Sequence, residues 1–448
     1  MTGLMRRPLR NPARIVPLAF LGAIAVGTVL MMLPASRQGP DPAPFVTALF
    51  TATSAVCVTG LAVTDTPTYW TPFGLALITL LTQVGGFGIM SIATLLALLV
   101  SRRLGLRSRL TAQAETNSLG LSDIRRVLLR IAATMLGVEA VVTMLLAARL
   151  WLSYDYPPGR ALWYGLFHAI QAFNNGGFAL YSDGLVRFVS DWWICLPLIS
   201  AVVIGGLGFP ALFEVIRERG RPRRWSVHTK LTVWGTLALI TIGFGCVLAF
   251  EWANPRTLGA LDLPGKLLAA LFQDVMTRSG GFNTVDTGAL NPETTALSIG
   301  MMFIGGGSAS TAGGIKVTTF FLLAFVIWSE LRGEPDVVIG RRRIAAASQR
   351  QALTVALVGV ALVGAGTLAL IGLSDDFSTD QVLFEVTSAF GTTGLSTGIT
   401  GQLPATAQVL LTVLMFVGRI GSVTLGSAIA LNTRRRRFHY PEERPIVG

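Results

Sequence analysis

The sequence predicts an all-α polytopic membrane protein made of four pseudo-symmetric units, each a helix, a short re-entrant helix and a second helix, arranged around one axis. Three observations carry this prediction. Hydrophobic residues make up 52% of the 448 residues and charged residues only 13%, whereas an ordinary soluble domain carries roughly a quarter charged residues. Apolar stretches of the length that crosses a bilayer, about 20 residues, recur along the chain. A short motif that ends in glycine also recurs, once in each quarter of the sequence.

The apolar stretches set the predicted membrane topology. Eight of them lie near 15–34, 73–100, 127–152, 192–216, 231–250, 295–328, 352–373 and 406–431. The first has arginines ahead of it and Ala35-Ser36 behind it, as a secretory signal peptide would. Its apolar run of about twenty residues nevertheless exceeds the signal core of about 7–15 residues, so we predict a membrane helix there.

The basic residues lie mainly in alternate segments between the apolar stretches. Of the 36 Lys and Arg residues, 26 lie in the segments 1–14, 101–126, 217–230, 329–350 and 432–448. Such an excess marks the cytoplasmic side of a membrane protein, so both termini are predicted to be cytoplasmic. The opposite segments carry five basic and twelve acidic residues, and an acidic outer face would concentrate cations there. Topology therefore explains the net charge of +12, and no nucleic-acid partner is predicted.

The repeated motif is a run of about ten residues that ends in a glycine followed by Leu or Phe. Its copies end at Gly60, Gly177, Gly281 and Gly394. Three copies align without gaps, and the copy that ends at Gly281 needs a deletion of one residue. A segment of this length is too short to span a bilayer and is typical of a re-entrant helix.

A second glycine-rich element follows each motif by 24–28 residues. Its copies are Val84–Gly88, Ile204–Gly208, Ile304–Gly307 and Val417–Gly421. The chain therefore divides into four predicted units, 1–100, 101–220, 221–335 and 336–448, and the last includes a cytoplasmic tail. A single glycine of this kind is often a packing residue between membrane helices. Four copies in the same register favour a shared functional geometry.

Four glycine-ended turns around one axis can select ions without any side-chain ligand. Glycine permits the backbone angles that aim main-chain carbonyls inward, and a ring of carbonyl dipoles can replace the hydration shell of a monovalent cation. The short helices would also direct the negative ends of their dipoles toward the same axis. The predicted ion ligands are the main-chain oxygens of Val58, Thr59, Gly60, Asn175, Gly176, Gly177, Ser279, Gly280, Gly281, Thr392, Thr393 and Gly394.

Residues 305–316 interrupt the longest apolar stretch. They are Gly, Ser, Ala and Thr with one Ile and a final Lys, which make a poor membrane helix. Irregular backbone at membrane depth is tolerated only where it is buried in protein or lines a wet cavity, and a Lys there is a candidate functional residue. We predict a broken helix that faces an aqueous path.

These motifs make the chain resemble the Trk/Ktr/HKT superfamily of potassium transporters over nearly its whole length. The resemblance rests on Val58–Leu61, Asn174–Phe178, Arg278–Thr284, Ser310–Lys316, Gly391–Thr397 and Gly418–Gly421. Eight spans without an additional N-terminal helix pair match the Ktr-type, pore-forming membrane subunit. The resemblance implies potassium uptake in a bacterial inner membrane. Gly rather than Ser at position 60 implies a preference for potassium over sodium.

The resemblance also implies a gate below the ion ligands. The residues expected in it are Gly305, Gly306, Gly307, Ser310, Thr311, Gly313, Gly314, Lys316 and Arg419. Lys316 either blocks the cation path or extends to the cytoplasmic edge and packs there. Arg419, within the last span, either forms a barrier to cations or braces the fold through helix-end carbonyls or Glu139.

The partners and ions are likewise implied by the resemblance. Members of the superfamily work as homodimers above a cytoplasmic ring of nucleotide-binding, RCK-type regulatory subunits. The basic loops Arg217–Arg224 and Arg341–Arg343 would dock such a ring, or they only set topology and contact anionic lipid. No cofactor is expected in this chain. Potassium is the expected substrate, and whether sodium, protons or no ion is coupled to its uptake stays open.

Other functions fit the sequence less well. Cys57, Cys195 and Cys246 are scattered, and so are the three His, so no metal or nucleophile cluster indicates a membrane enzyme. Lys316 follows an Ile and precedes a Val, which does not match a phosphate-binding loop. A structural scaffold would leave the four glycine motifs unexplained. The remaining alternative is a Trk-type proton-coupled transporter, or a less selective sodium and potassium transporter, of the same fold.

Overall fold

The structure is a computed structural model that describes residues 12–108, 121–374 and 376–431. Residues 1–11 and 432–448, which are predicted to be cytoplasmic, lie outside these ranges, and so do residues 109–120 of the basic segment 101–126. Helices dominate the described residues, as the sequence predicts.

The first two units repeat the order long helix, short helix, second helix. Unit 1 contains α1 (Pro12–Met31), α2 (Phe45–Val56), the one-turn helix α3 (Thr66–Tyr69) and α4 (Pro72–Ser108). Unit 2 contains α5 (Leu121–Ser153), α6 (Pro158–Asn174), α7 (Trp192–Leu207) and α8 (Phe209–Arg217). The short helices α2 and α6 begin before the repeated motif does, since each follows a proline that favours a helix start.

The last two units follow the same order. Unit 3 contains α9 (Val227–Glu251), α10 (Leu263–Val275), a π-helical turn (Met276–Gly280), α11 (Pro292–Phe303) and α12 (Val317–Leu331). Unit 4 contains a hairpin of β1 (Val338–Ile339) and β2 (Arg342–Arg343), then α13 (Ala346–Ile371), α14 (Thr379–Gly391) and α15 (Ala405–Leu431). Single 3-10 turns lie at Val186–Phe188, Pro222–Arg224, Thr287–Ala289 and Thr400–Gln402.

The eight apolar stretches all form helices, but not all are single continuous spans. Four helical segments of the described residues are long and apolar enough to cross a membrane by themselves: Pro72–Thr94, Arg125–Ser153, Val227–Glu251 and Ala346–Ile371. The predicted span at 192–216 is instead bent by 101° between α7 and α8. The bend lies at Gly208, whose φ of +84° ends a right-handed helix.

The predicted break in unit 3 is present. Helix α11 ends at Phe303 and α12 begins at Val317, with irregular backbone between them. A parallel bridge joins Ile304 to Ile315, and Gly305 N donates to Ile315 O at 2.9 Å. The two helix ends are therefore held side by side independently of the residues that loop out between them.

The same buried aromatic residue packs the short helix of every unit. The second residue of each motif copy is a phenylalanine, and all four are 0% exposed: Phe50, Phe167, Phe272 and Phe384. The residues that follow the motif glycines are also buried: Leu61, Phe178, Phe282 and Leu395. Each turn is therefore held between two apolar anchors that are packed inside the protein.

The second glycine element allows the following helix to approach the end of the short helix. In three units, a Cβ built on a glycine of this element would collide with a main-chain oxygen; the glycines are Gly85, Gly205 and Gly418. The oxygen belongs in each case to the residue four positions before the motif glycine of the same unit. These oxygens belong to Val56, Phe173 and Phe390. In this respect the glycines are packing residues, as single membrane glycines often are.

We expect Gly85→Ala to destabilise the protein. The added Cβ would also lie 3.2 Å from Val56 Cα, and overpacking of this kind costs about 1–3 kcal/mol. The measurement is the thermal unfolding midpoint of the purified protein in detergent. Gly88→Ala, in the same helix, is the control because its nearest neighbour would be Phe20 at 4.0 Å. An equal midpoint for both variants would contradict this packing role.

Candidate functional site

The four motif glycines form a closed ring. A Cβ built on Gly60 would lie 3.0 Å from Gly177 Cα, and one on Gly177 would lie 2.9 Å from Gly281 Cα. A Cβ on Gly281 would lie 3.5 Å from Gly394 Cα, and one on Gly394 would lie 3.1 Å from Gly60 Cα. Each unit therefore touches the next unit in chain order, and the fourth touches the first. Units 2 and 4 face each other across the ring.

Main-chain oxygens line the contacts of this ring. In each unit the carbonyl oxygen of the residue before the glycine lies beside the glycine of a neighbouring unit. The four carbonyl-to-glycine contacts are Gly176 to Gly60, Gly280 to Gly177, Thr393 to Gly281 and Thr59 to Gly394. The repeated motif predicts that these turns meet around one axis, and the structure brings all four together.

Schellman-type ends of the short helices shape three of the turns. In unit 1, Val58 N donates to Ala55 O at 3.1 Å and Thr59 N donates to Ser54 O at 2.7 Å. This pair of hydrogen bonds satisfies the last carbonyls of a helix and places the residue after it in the left-handed region. That residue is Val58, Asn175 or Thr392, with φ of 55°, 64° and 47°.

The third turn differs from the other three. The π-helical segment Met276–Gly280 replaces the Schellman end, and Gly281 N donates to Met276 O at 3.2 Å. Ser279 is extended rather than left-handed, with φ of 161°. This is the copy that needs the one-residue deletion, so the irregular helix brings Gly281 into the ring despite the shorter motif.

A vestibule opens on one side of the ring. Its volume is about 620 Å³, and its walls come from all four units. The lining includes the ring glycines, residues that follow them in the chain, and the acidic side chains of Asp65 and Asp286. Asp65 also joins two units, because Ser182 Oγ donates to Asp65 Oδ2 at 2.7 Å.

The broken stretch of unit 3, residues 305–316, lies on the other side of the ring. It contacts residues that precede the ring glycines, whereas the vestibule contains residues that follow them. Thr311 Oγ1 donates to Phe173 O at 3.3 Å, at the end of α6. A Cβ built on Gly313 would lie 2.8 Å from Gly391 O, at the end of α14. Gly307 N also donates to Gly206 O at 2.8 Å.

The two cationic side chains singled out from the sequence both bond this stretch. Lys316 Nζ donates to Ala312 O at 2.6 Å and to Gly313 O at 3.4 Å. Arg419 is 1% exposed, and its Nη1 donates to Thr311 O.

Arg419 does not pair with Glu139, which was one of its expected partners. Glu139 instead accepts from Gln83 Nε2 at 2.9 Å and from Asn174 Nδ2 at 3.1 Å. These amides satisfy the buried carboxylate within units 1 and 2. The guanidinium therefore braces the broken stretch of unit 3 against α15, a partner that neither alternative from the sequence had named.

Within the part of the chain that the structure describes, no group of three or more His, Cys, Asp or Glu residues is placed to hold a metal ion. Main-chain oxygens lie beside all four ring glycines, and the hydroxyls of Ser54 and Ser388 accept from Gly60 N and Gly394 N at 3.1 Å. This geometry defines a class of membrane protein in which four similar turns form one ring between a wide vestibule and a broken helix.

The chain belongs to the TrkH family of cation transport proteins, whose family model matches residues 13–433. It is similar to the Ktr system potassium uptake protein B of Bacillus subtilis (strain 168), with 38% identity over 98% of this chain and 97% of the relative. The protein of the same description from Vibrio alginolyticus is 35% identical over 97% of this chain and 94% of the relative. The predicted membership of the Trk/Ktr/HKT superfamily is thereby confirmed.

The fold has a solved counterpart. The crystal structure of the potassium transporter TrkH from Vibrio parahaemolyticus matches with a TM-score of 0.71 and 18% identity, over 96% of this chain and 86% of that chain. This likeness confirms the predicted fold class of a multi-pass helical membrane protein. The family consists of cation transporters rather than enzymes, as the sequence also predicted.

Proposed function

We propose that this chain takes up potassium through a selectivity filter made by the four-glycine ring. The observation that carries this proposal is the closed contact of Gly60, Gly177, Gly281 and Gly394, with one main-chain oxygen beside each contact. Carbonyl dipoles arranged in this way can replace the water around a monovalent cation. The ion moves down the membrane potential, and no cofactor in this chain takes part.

The proposed ligands are main-chain oxygens of three consecutive residues in each turn. They are the twelve residues expected from the sequence: Val58–Gly60, Asn175–Gly177, Ser279–Gly281 and Thr392–Gly394. The left-handed residues that precede three of the glycines support this assignment, because strained backbone of this kind persists where the surrounding structure holds it for a function. Asp65 and Asp286 in the vestibule would raise the local concentration of cations before they enter.

Two observations favour potassium as the ion: the names of the relatives and the glycine at each of the four filter positions. Both Ktr relatives described above are named potassium uptake proteins, and all four filter positions are glycine. A second candidate has its own support. The potassium/sodium uptake protein NtpJ of Enterococcus hirae is 28% identical over 99% of this chain. A less selective transporter of sodium and potassium is therefore the alternative. A Trk-type proton-coupled transporter is the other form of that alternative, whereas sodium is the candidate coupling ion for the proposed potassium uptake itself.

The broken stretch 305–316 is the proposed gate. It lies directly against the ends of two short helices, and Lys316 and Arg419 add positive charge close to the path of a cation. A cation there meets both a steric and an electrostatic barrier. The nine gating residues expected from the sequence all belong to this stretch or, in the case of Arg419, bond to it.

The orientation and the partners are part of the same proposal. The chain lies in the bacterial inner membrane with both termini and the basic loops on the cytoplasmic side. Arginines of the β1–β2 hairpin are exposed, and Arg343 pairs only at the surface with Asp336 at 2.9 Å. Such arginines are available to a cytoplasmic nucleotide-binding, RCK-type regulatory ring below a homodimer, or to anionic lipid.

The proposal is tested by growth of a bacterial strain that lacks its own potassium uptake. Expression of the full chain is expected to restore growth at low potassium without making the cells sensitive to sodium. The control is the same strain with an empty vector. Rescue accompanied by sodium sensitivity would favour the less selective alternative. Sodium sensitivity without rescue would contradict potassium uptake.

A further inference from the structure

Two buried side chains hold the vestibule side of the ring in units 2 and 4. His168 and Glu385 occupy the same position, the third residue, of their motif copies. His168 Nε2 accepts a hydrogen bond from Leu180 N at 3.3 Å, and Glu385 Oε1 accepts one from Thr397 N at 3.0 Å. Each donor is the third residue after the motif glycine. Two side chains of different chemistry thus make the same contact in equivalent places.

The carboxylate of Glu385 accepts hydrogen bonds from more residues of the vestibule wall than the imidazole of His168 does. It is 0% exposed, accepts from Ser396 Oγ, and accepts from Thr400 Oγ1 at 2.8 Å. Ser396 and Thr400 both line the vestibule. The chain that leaves the ring at Gly394 is therefore anchored to its own short helix within three residues.

The imidazole of His168 is fixed equally well. Its Nδ1 lies 2.7 Å from Tyr164 O, which suits a neutral ring with the proton on Nδ1 and a free lone pair on Nε2. His168 is 3% exposed and stacks on Tyr181 with ring centroids 5.4 Å apart. The imidazole cannot rotate without losing these contacts, so its Nε2 holds the backbone of Leu180 in place.

The other two units lack this anchor. The matching residue of unit 3 is Gln273, and neither of its amide atoms has a hydrogen-bond partner among the described residues. The matching residue of unit 1 is Thr51, whose side chain is shorter. Because units 2 and 4 face each other, this anchor of the third residue after the glycine lies along one diagonal of the ring. Unit 1 is held differently, since Ser54 Oγ accepts from Gly60 N at 3.1 Å.

We propose that His168 and Glu385 are positioning residues that set the preference of the ring for potassium over sodium. The inference rests on the proposed function, since it assigns a role within that filter. Both residues act through the backbone of Leu180 and Thr397 and do not touch the ion. Without the anchors, Gly177 and Gly394 would be free to shift, and their oxygens would adapt to a smaller cation. The role of the two anchors follows from the cavity-size account of selectivity, in which discrimination between the two ions depends on how closely the spacing of these oxygens fits each ion.

The test is calorimetric binding of potassium and of sodium to the full-length protein purified in detergent. Glu385→Leu removes the acceptor and keeps the approximate volume. It is expected to reduce the ratio of the sodium to the potassium Kd by about tenfold, as suits the loss of hydrogen bonds to a charged group. Glu385→Gln keeps one acceptor oxygen, so its ratio of the sodium to the potassium Kd should lie between those of Glu385→Leu and the wild type.

Glu251→Leu is the matched control. Glu251 is also 0% exposed and accepts from Asn254 Nδ2 at 2.7 Å and from Asn291 N at 2.8 Å. Glu251 lies in α9, away from the ring. Glu251→Leu should therefore lower the stability of the protein and leave the ratio of the sodium to the potassium Kd unchanged. An equal loss of selectivity in Glu251→Leu and Glu385→Leu would overturn the inference, because any buried carboxylate would then have the same effect.

His168→Phe keeps the test decisive if Glu385→Leu does not fold. The phenyl ring preserves the aromatic packing and removes both the acceptor for Leu180 N and the donor to Tyr164 O, so selectivity should again fall. A wild-type protein that bound both ions equally would contradict the proposed function itself. A selective wild type with an equally selective His168→Phe variant would overturn this inference alone.

Discussion

Replacement of Gly281 by alanine is expected to abolish potassium uptake in a protein that still folds. The added Cβ would collide with Thr393 O and lie 2.9 Å from Gly177 Cα, so it intrudes on two neighbouring units at once. The φ of +73° at this position adds strain of about 1–2 kcal/mol for a residue with a side chain. The turn must move, and a displaced carbonyl no longer matches the spacing of the other three.

The measurement is uptake of radioactive rubidium or potassium by cells that produce equal amounts of each variant. Gly300→Ala is the control, since a Cβ on Gly300 in the same unit would have nothing within 4 Å. Its uptake should equal that of the wild type. Wild-type uptake by Gly281→Ala would show that the ion does not pass through the ring.

Deletion of residues 306–312 is expected to raise potassium uptake by about tenfold, if this segment contributes about 1.4 kcal/mol to the barrier for permeation. The deletion removes the hydrogen bond from Thr311 to Phe173 O and the acceptor of Arg419. Ile304 and Ile315 remain paired, so α11 and α12 should keep their positions. The same uptake assay measures this effect.

The control for this deletion is the double variant that also carries Gly281→Ala. Its uptake should stay absent, because ions that leave through the opened gate must first pass the ring. High uptake in the double variant would indicate a leak elsewhere. Unchanged uptake in the single deletion would contradict the assignment of the segment as a gate.

The convergence of the four turns could be predicted because the sequence repeats itself. Gly60, Gly177, Gly281 and Gly394 occupy the same place in four similar units, and a pseudo-symmetric arrangement brings equivalent residues to one axis. The break at residues 305–316 could be predicted for a different reason. Its composition is incompatible with a helix in lipid, whatever the tertiary structure.

The contacts between units could not be predicted in the same way. Arg419 was expected either to form a barrier to cations or to brace the fold through Glu139 or helix-end carbonyls. Its observed partner is instead Thr311 O, 108 residues earlier. Such a contact depends on the path of an irregular loop, for which no periodic pattern exists. The left-handed backbone of Val58 also had no signal in the sequence, since a β-branched residue rarely adopts it. The surrounding Schellman hydrogen bonds impose it.

The bend between α7 and α8 shows a third limit. Hydropathy describes 192–216 as one span because both helices are apolar, and hydropathy carries no information about direction. The positive φ of Gly208 and the proline at position 210 end one helix and start the next. Gly208 alone does not indicate a change of direction, because several other glycines in apolar stretches of this chain stay helical. Only the combination of Gly208 with Pro210 does.

The central claim is that the four-glycine ring binds a dehydrated monovalent cation and favours potassium. Isothermal titration of the purified wild-type protein with potassium, rubidium, sodium and lithium tests it most directly. We predict that potassium and rubidium bind at least about tenfold more tightly than sodium and lithium, a difference of about 1.4 kcal/mol. Tighter binding of sodium or lithium, or no binding of any of the four ions, would contradict the account.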